Sequence, residues 1–125
     1  IMTYRLACEL DTIAGVATVS GNLPDGYECK PKRAVPMLII NGTDDPWVQW
    51  GGGKVVPHGF SDRGETLSTP DTVQFWLKYH RCDPSTEEIR ERPKRVMDDT
   101  TSVRVHRWKI CPVVQYEISG GGHLW

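Results

Sequence analysis

Two polar segments of the sequence carry side chains that could together move a proton. The first, residues 41–48 (NGTDDPWV), follows an apolar run, and the second, residues 120–125 (GGGHLW), follows a segment of alternating character. In a hydrolytic triad a histidine takes the proton of a nucleophile, and a carboxylate fixes the histidine tautomer. An acid followed later in the chain by a histidine matches the second half of the order nucleophile, acid, base. Asp44 or Asp45 is the candidate for the carboxylate, and His123 is the candidate for the histidine.

Each segment also has a simpler interpretation. An Asp-Asp-Pro sequence after a strand is typical of a turn, and Gly-Gly-Gly-His also fits a flexible loop with a bystander histidine. The run from Gly51 to Lys54 lacks the Gly-Lys-Ser/Thr ending of a phosphate-binding loop. We interpret His58, His80 and His106 as surface or packing residues.

The elements that must position these residues follow from hydrophobic periodicity and turn signals. Ser68 and Pro70 mark a helix start. The prediction is a helix over residues 2–10, buried strands over 13–20 and 36–42, an irregular stretch over 44–67, a helix over 69–80, a loop over 83–99 with a helical turn at 87–91, and two strands over 101–108 and 113–118 joined by a turn.

This order of elements predicts an α/β protein with a mainly parallel sheet, flanking helices and a C-terminal β-hairpin. The run of small and β-branched residues over 13–20 suits a short strand of the parallel kind that is buried and apolar on both faces, and a second buried strand ends at Gly42. Ligands of open α/β sheets bind at the carboxyl ends of the strands. Since the two polar segments, residues 41–48 and 120–125, each follow a strand, we expect them to meet at that edge.

Composition excludes several classes of function. The chain has 125 residues, 38% hydrophobic and 25% charged, with a net charge of −1. This length suits one domain or part of one. The net charge and the lack of a single-sign block argue against nucleic acid as the main partner, because phosphate binding needs a basic surface. No apolar run is long enough to span a bilayer. The mixed-charge residues 87–95 are predicted to form a solvated face.

The four cysteines are Cys8, Cys29, Cys82 and Cys111. An even number is compatible with two disulfides, although cysteine is also a common buried residue. Zinc-site spacings are missing, so we predict no metal site. We favour a bond between Cys82 and Cys111, because they flank a polar, proline-containing segment whose closure is worth on the order of 3 kcal/mol in the chain-entropy model. This use of cysteine favours an oxidising compartment.

Five segments of the chain match one family pattern. They are MTYRLACE at residues 2–9, PMLIINGTDDP at 36–46 with Gly51 and Gly52, TVQFWL at 72–77 with Cys82, Cys111 with VQYEI at 114–118, and GGGHLW at 120–125. Together they resemble the polyhydroxybutyrate depolymerase-like esterases, a family that includes LpqC-type lipoproteins and relatives of feruloyl and acetylxylan esterases. The His-x-Trp ending is the most specific match, and the Gly-Thr-Asp-Asp-Pro block is the next.

The resemblance implies the C-terminal part of an α/β-hydrolase fold, with Asp45 as the catalytic acid and His123 as the base. The serine of such enzymes lies in a Gly-x-Ser-x-Gly motif just before the helix that opens this chain, and no serine here has that pattern. We therefore expect residues 1–125 to be a partial esterase domain, truncated at both ends and inactive by itself. The family often has histidine where this chain has Asn41.

The resemblance also implies a substrate class. It predicts a carboxylic ester hydrolase without a cofactor, acting outside the cell or in the periplasm on polyhydroxyalkanoates or on feruloylated or acetylated plant polysaccharides. Trp47, Trp50 and Trp125 are candidates for substrate binding, with loop packing as the alternative interpretation. The competing hypotheses are a non-catalytic module that binds carbohydrate or another polymer, and an inactive fragment. The separation of Asp45 and His123 discriminates between catalysis and binding.

Overall fold

The computed structural model describes residues 2–57 and 63–124. In chain order the elements are α1 (Met2–Glu9), β1 (Val16–Val19), β2 (Met37–Gly42), β3 (Gly53–Lys54), β4 (Glu65–Thr66), α2 (Thr69–Tyr79), a 3-10 turn (Pro84–Thr86), β5 (Glu87–Arg92), β6 (Ser102–Trp108) and β7 (Val113–Ser119). None of the described helices is long and apolar enough to cross a membrane.

The main sheet is mixed. It has five strands in the order β1-β2-β7-β6-β5. The pairs β1–β2 and β2–β7 are parallel, whereas β7–β6 and β6–β5 are antiparallel. The prediction of an α/β protein with a hairpin between the last two strands is confirmed, but the prediction of a mainly parallel sheet is wrong. The antiparallel half arises because short connections join β5, β6 and β7, and such connections impose antiparallel pairing.

Both described helices contribute to one hydrophobic core on the same side of the sheet. Tyr4 from α1 and Trp76 from α2 are fully buried, and they pack with Met37, Ile39 and Val113 of the central strands. Complete burial of a large apolar side chain stabilises a fold by about 1.5–3 kcal/mol. This core fixes β2 and β7 side by side, and the two polar segments follow these two strands.

Helix α2 begins where the sequence predicts. The Ser68 hydroxyl accepts a hydrogen bond from the Asp71 N–H at 3.0 Å and donates to the Asp71 carboxylate at 2.6 Å. This reciprocal arrangement satisfies an amide that the helix itself cannot pair. The apolar stripe of the helix then faces the core, with Val73, Trp76 and Leu77 buried.

Two strands differ from the sequence expectations. Residues 87–91 were predicted as a helical turn, but Glu87–Arg92 is strand β5, and all of its side chains are exposed. Its ladder with β6 determines its conformation, since it has almost no apolar periodicity of its own. Strand β1 was predicted to be buried on both faces. It lies at an edge of the described sheet, and only Thr18 is fully buried.

Both disulfides are present. Cys82 is bonded to Cys111, the pairing favoured from the sequence, and Cys8 is bonded to Cys29. The first bond joins the segment after α2 to the turn between β6 and β7, and the second joins α1 to the loop before β2. Two such bonds are consistent with an oxidising compartment.

His80 is a packing residue whose protonation couples to stability. Its ring lies against those of Trp76 and Tyr79, and Nε2 is 3.0 Å from the Val35 carbonyl oxygen, to which it donates. Burial lowers the pKa of His80 below its ordinary value of 6.5, against the smaller opposing effect of the Val35 bond. As pH falls below 6.5, the unfolded state therefore takes up this proton first and the folded state loses stability.

We expect the free energy of unfolding to decline less steeply below pH 6.5 in His80→Gln than in the wild type. Glutamine keeps an N–H donor for Val35 but cannot be protonated in this range. Urea denaturation at a series of pH values measures the difference. Parallel curves for the two proteins would show that His80 does not contribute.

Candidate functional site

Asp45 lies in a tight turn directly after β2. Its Oδ1 accepts hydrogen bonds from the backbone N–H groups of Trp47 and Val48, both at 2.9 Å. The carboxylate is fully buried, so these donors replace the water that the charged group would otherwise bind. Asp44 is exposed, and its carboxylate accepts a hydrogen bond from the Thr43 hydroxyl. The two adjacent aspartates thus lie in different surroundings, and Asp45 is the buried one.

His123 lies in the glycine loop that follows β7. Gly120 has a φ of 75°, in the left-handed region that favours glycine, and this residue turns the chain back toward β2. The Gly121 carbonyl then accepts a hydrogen bond from the Asp44 N–H at 3.0 Å. The glycines therefore let the loop after β7 rest directly on the turn after β2.

The loop and the turn bring the predicted acid and base together. His123 Nδ1 is 2.8 Å from Asp45 Oδ2. In the neutral ring Nδ1–H donates to the carboxylate, which leaves Nε2 with its lone pair available. The ring of Trp47 packs at 4.5 Å from the imidazole, with the two planes at 51°. The imidazole of His123 is thus held by the buried Asp45 carboxylate on one side and by the Trp47 indole on another.

The predicted substrate-binding tryptophans have different locations. Trp47 contacts His123 directly. Trp50 lies three residues further on, half-buried, and lines a separate pocket with residues of α2, β6 and β7. Trp125 and His58 lie outside the described residues. The segment from Asp45 to Trp50 therefore presents one indole to the imidazole and the other to the neighbouring pocket.

Two hydroxyl groups that the sequence analysis missed anchor the histidine loop. Thr43 Oγ1 accepts the Gly120 N–H at 2.9 Å. Ser20, at the end of β1, donates from Oγ to the carbonyl oxygen of His123 at 3.4 Å. The sequence positions of Thr43 and Ser20 could have indicated this role. Both residues follow parallel strands whose carboxyl ends share the edge of the sheet that carries Asp45 and His123.

Asn41, at a position where the resembled family often has histidine, is buried, and its Oδ1 has no hydrogen-bond partner among the described residues. Its buried side-chain amide donates to the Asn22 side chain at 3.3 Å and lies 3.5 Å from the Gly21 carbonyl. Asn22 also accepts the Thr69 hydroxyl at 3.0 Å. With asparagine at this position, Asp45 and His123 are in contact.

No side chain of the described residues is placed as a nucleophile for the His123 imidazole. Within residues 2–57 and 63–124, no hydroxyl or thiol is hydrogen-bonded to the His123 imidazole. Ser20 binds the backbone of His123, and Ser119 donates to Glu117. In the same ranges, no group of three or more His, Cys, Asp and Glu side chains is placed to hold a metal ion.

Comparison of the chain with known protein families, with curated proteins and with solved structures gives no match.

Proposed function

We propose that this chain supplies the acid and the base of a serine-type carboxylic ester hydrolase with the α/β-hydrolase fold. The observation that carries the proposal is the 2.8 Å contact between Asp45 Oδ2 and His123 Nδ1. The two side chains are 78 residues apart in the sequence, and they meet beyond the carboxyl ends of neighbouring parallel strands. A buried carboxylate paired with one ring nitrogen of a partly exposed histidine is the acid–base half of a triad.

In the proposed mechanism a serine hydroxyl attacks the ester carbonyl carbon while Nε2 of His123 accepts the hydroxyl proton. Asp45 keeps Nδ1 protonated and stabilises the imidazolium. The proton then passes from Nε2 to the departing alkoxide, which leaves as an alcohol, and water hydrolyses the acyl-enzyme with the same base. Because no serine in the sequence lies in Gly-x-Ser-x-Gly, the nucleophile in this proposal belongs to a segment outside these 125 residues.

The competing hypothesis of a non-catalytic polymer-binding module has less support at this site. Keeping a carboxylate fully buried costs free energy, and pure binding gives no reason to aim it at an imidazole. Catalysis gives such a reason, since the carboxylate fixes the histidine tautomer that the reaction needs. The proposed substrates are polyhydroxyalkanoates or feruloylated or acetylated polysaccharides, and the proposed location is extracellular or periplasmic, in agreement with the two disulfides.

A serine-directed fluorophosphonate probe tests this proposal. The 125-residue chain alone should not be labelled, whereas the product of a reading frame that also encodes the nucleophile segment should be labelled at one serine. The labelled protein should hydrolyse p-nitrophenyl acetate and methyl ferulate. Stoichiometric labelling of a serine within the 125 residues would refute the assignment of the nucleophile, and a reading frame without a reactive serine would refute the hydrolase proposal.

A further inference from the structure

The face of the main sheet that lies opposite α1 and α2, called the outer face from here on, is apolar and uncovered. Along β2 and β7 the side chains alternate between the two faces of the sheet. Those on the inner face, such as Ile39 and Val113, are fully buried in the core. Those on the outer face are only half-buried, and all are aliphatic or aromatic: Leu38, Ile40, Val114, Tyr116 and Ile118. A contiguous apolar patch of this kind marks an interaction site.

The strand directions call for a cover on the outer face. Strands β1, β2 and β7 are parallel neighbours, and parallel strands occur almost only in sheets with helices on both faces. Both described helices pack on the inner face. Within residues 2–57 and 63–124, no α-helix lies on the outer face. The backbone groups of β2 and β7 are already paired in ladders, so a cover must contribute side chains, as a helix does.

The shape of the outer face also suits a helix. Tyr116 lines both of two open depressions, of about 560 Å³ and 540 Å³. The larger extends from Tyr116 and Ile118 to residues 92–95, and the smaller extends from Tyr116 and Val114 to the start of β1 and β2. Side-chain ridges of a helix pack into such depressions. A lipid bilayer, by contrast, takes up apolar groups that protrude into it.

The border of the outer face is cationic. Arg92 and Arg95 line the larger depression, and Arg107 lines the smaller one. Among the described residues, no carboxylate forms an ion pair with any of these three guanidinium groups. Arg90, on the same face of β5, differs because it pairs with Glu88 at 3.4 Å. The apolar face thus carries cations without a carboxylate partner beside each depression.

These charges decide which occupant fits. The acid in the larger depression, Asp99, already accepts hydrogen bonds from the N–H and hydroxyl of Thr101 at 2.8 Å and 2.7 Å. The arginines therefore favour an occupant that brings carboxylates of its own. A second copy of the outer face would place the arginines of both copies against each other, and like charges across an interface are unfavourable.

We propose that the outer face docks an amphipathic helix of a partner polypeptide, with Asp or Glu along the border that meets Arg92, Arg95 and Arg107. The apolar side chains of the helix fill the two depressions that Tyr116 lines. Arg92 pairs with Val103, four residues before Arg107 on β6, a separation of about 13 Å. The carboxylates of the helix are therefore about two to three turns apart. The inference uses neither a nucleophile nor an ester bond, so it does not rest on the proposed function.

The test is methyl NMR of the 125-residue protein titrated with designed helical peptides of about five turns. The peptides differ in the width of their apolar stripe and carry glutamates about two to three turns apart along one border. In a matched set, lysine replaces glutamate. We expect a glutamate peptide to shift the signals of Ile40 and Val114 on the outer face, while the signal of the core residue Ile39 stays in place. The expected dissociation constant is about 100 μM or tighter, and the lysine peptide should bind at least about tenfold more weakly.

Charge reversal tests the border of the outer face. The double variant Arg92→Glu with Arg107→Glu should bind the glutamate peptide at least about tenfold more weakly than the wild type and the lysine peptide more tightly. An unchanged Ile39 signal in this variant shows that the fold is intact. Lys78→Glu is the matched control, because Lys78 is exposed on α2, on the other side of the sheet. This control should bind both peptides as the wild type does.

Three results would each overturn the inference. The first is that no glutamate peptide shifts the signals of Ile40 and Val114. The second is equal binding of the glutamate and lysine peptides. The third is that phosphatidylglycerol vesicles, or self-association at higher protein concentration, shift these two signals when no peptide does, because the occupant would then be a membrane or a second copy.

Discussion

Replacing Asp45 by asparagine is expected to lower ester turnover about 10⁴-fold in the proposed hydrolase while leaving the fold intact. Asparagine can keep its oxygen toward the N–H groups of Trp47 and Val48, where Oδ1 accepts now. Its NH₂ then faces Nδ1 of His123, which must accept instead of donate. The ring proton moves to Nε2, and Nε2 can no longer take a proton from the serine.

The comparison for this variant is Asp44→Asn. Asp44 is exposed, and its hydrogen bond with Thr43 does not involve the imidazole. We expect its turnover to remain within a few-fold of the wild type. Nitrogen-15 NMR of His123 reports the tautomer directly and requires no nucleophile. Asp45→Asn with the wild-type tautomer, or with turnover close to that of Asp44→Asn, would contradict the proposed role of Asp45.

Gly42→Ala is expected to separate His123 from Asp45. A Cβ at Gly42 would lie 2.1 Å from the Gly121 carbonyl oxygen and 2.5 Å from its carbon, closer than carbon atoms of side chains approach the backbone. The glycine loop must therefore move, and the hydrogen bond from the Asp44 N–H to Gly121 breaks with it. A displacement of about 1 Å at a catalytic group can cost 10²-fold in rate, and overpacking costs about 1–3 kcal/mol of stability.

Gly122→Ala provides the matched control in the same loop. A Cβ at Gly122 meets nothing within 4 Å of described atoms, and Gly122 is adjacent to His123 in the sequence. We expect this variant to keep the 2.8 Å contact between Asp45 and His123 and the wild-type tautomer. Equal turnover, equal stability and equal His123 spectra for the two alanine variants would show that close packing at Gly42 does not hold the site together.

Local patterns predict those parts of the fold that depend on local physics. The cap at Ser68 and the apolar stripe of α2 identify a helix without tertiary information. The continuous apolar run of β2 identifies a buried strand. Strand β5 is different, because the sequence EEIRER contains one apolar residue, and only pairing with β6 makes it a strand. The mixed character of the sheet was not predicted for the same reason, because it depends on which strands pair and not on local patterns.

The candidate site was predictable where it follows from strand ends. Asp45 and His123 each follow a strand, and parallel neighbours place such residues at one edge of the sheet. The pocket that Trp50 lines together with Gln115 and Glu117 was not predictable from the ends of strands. The alternation in β7 was recognised, yet alternation does not say which face a helix will cover. The helix covers the face with Gln115 and Glu117, whereas Tyr116 is half-buried on the other.

The bond between Cys82 and Cys111 has a consequence for proteolysis. Residues 93–100 are all exposed and contain Lys94 and Arg95, so a trypsin-like protease has accessible peptide bonds there. A cut in this stretch places Asp45 on one polypeptide and His123 on the other. Because the two cysteines lie on either side of the cut, the pieces stay covalently joined. Such a nicked protein would migrate as one band without reductant and as two with it.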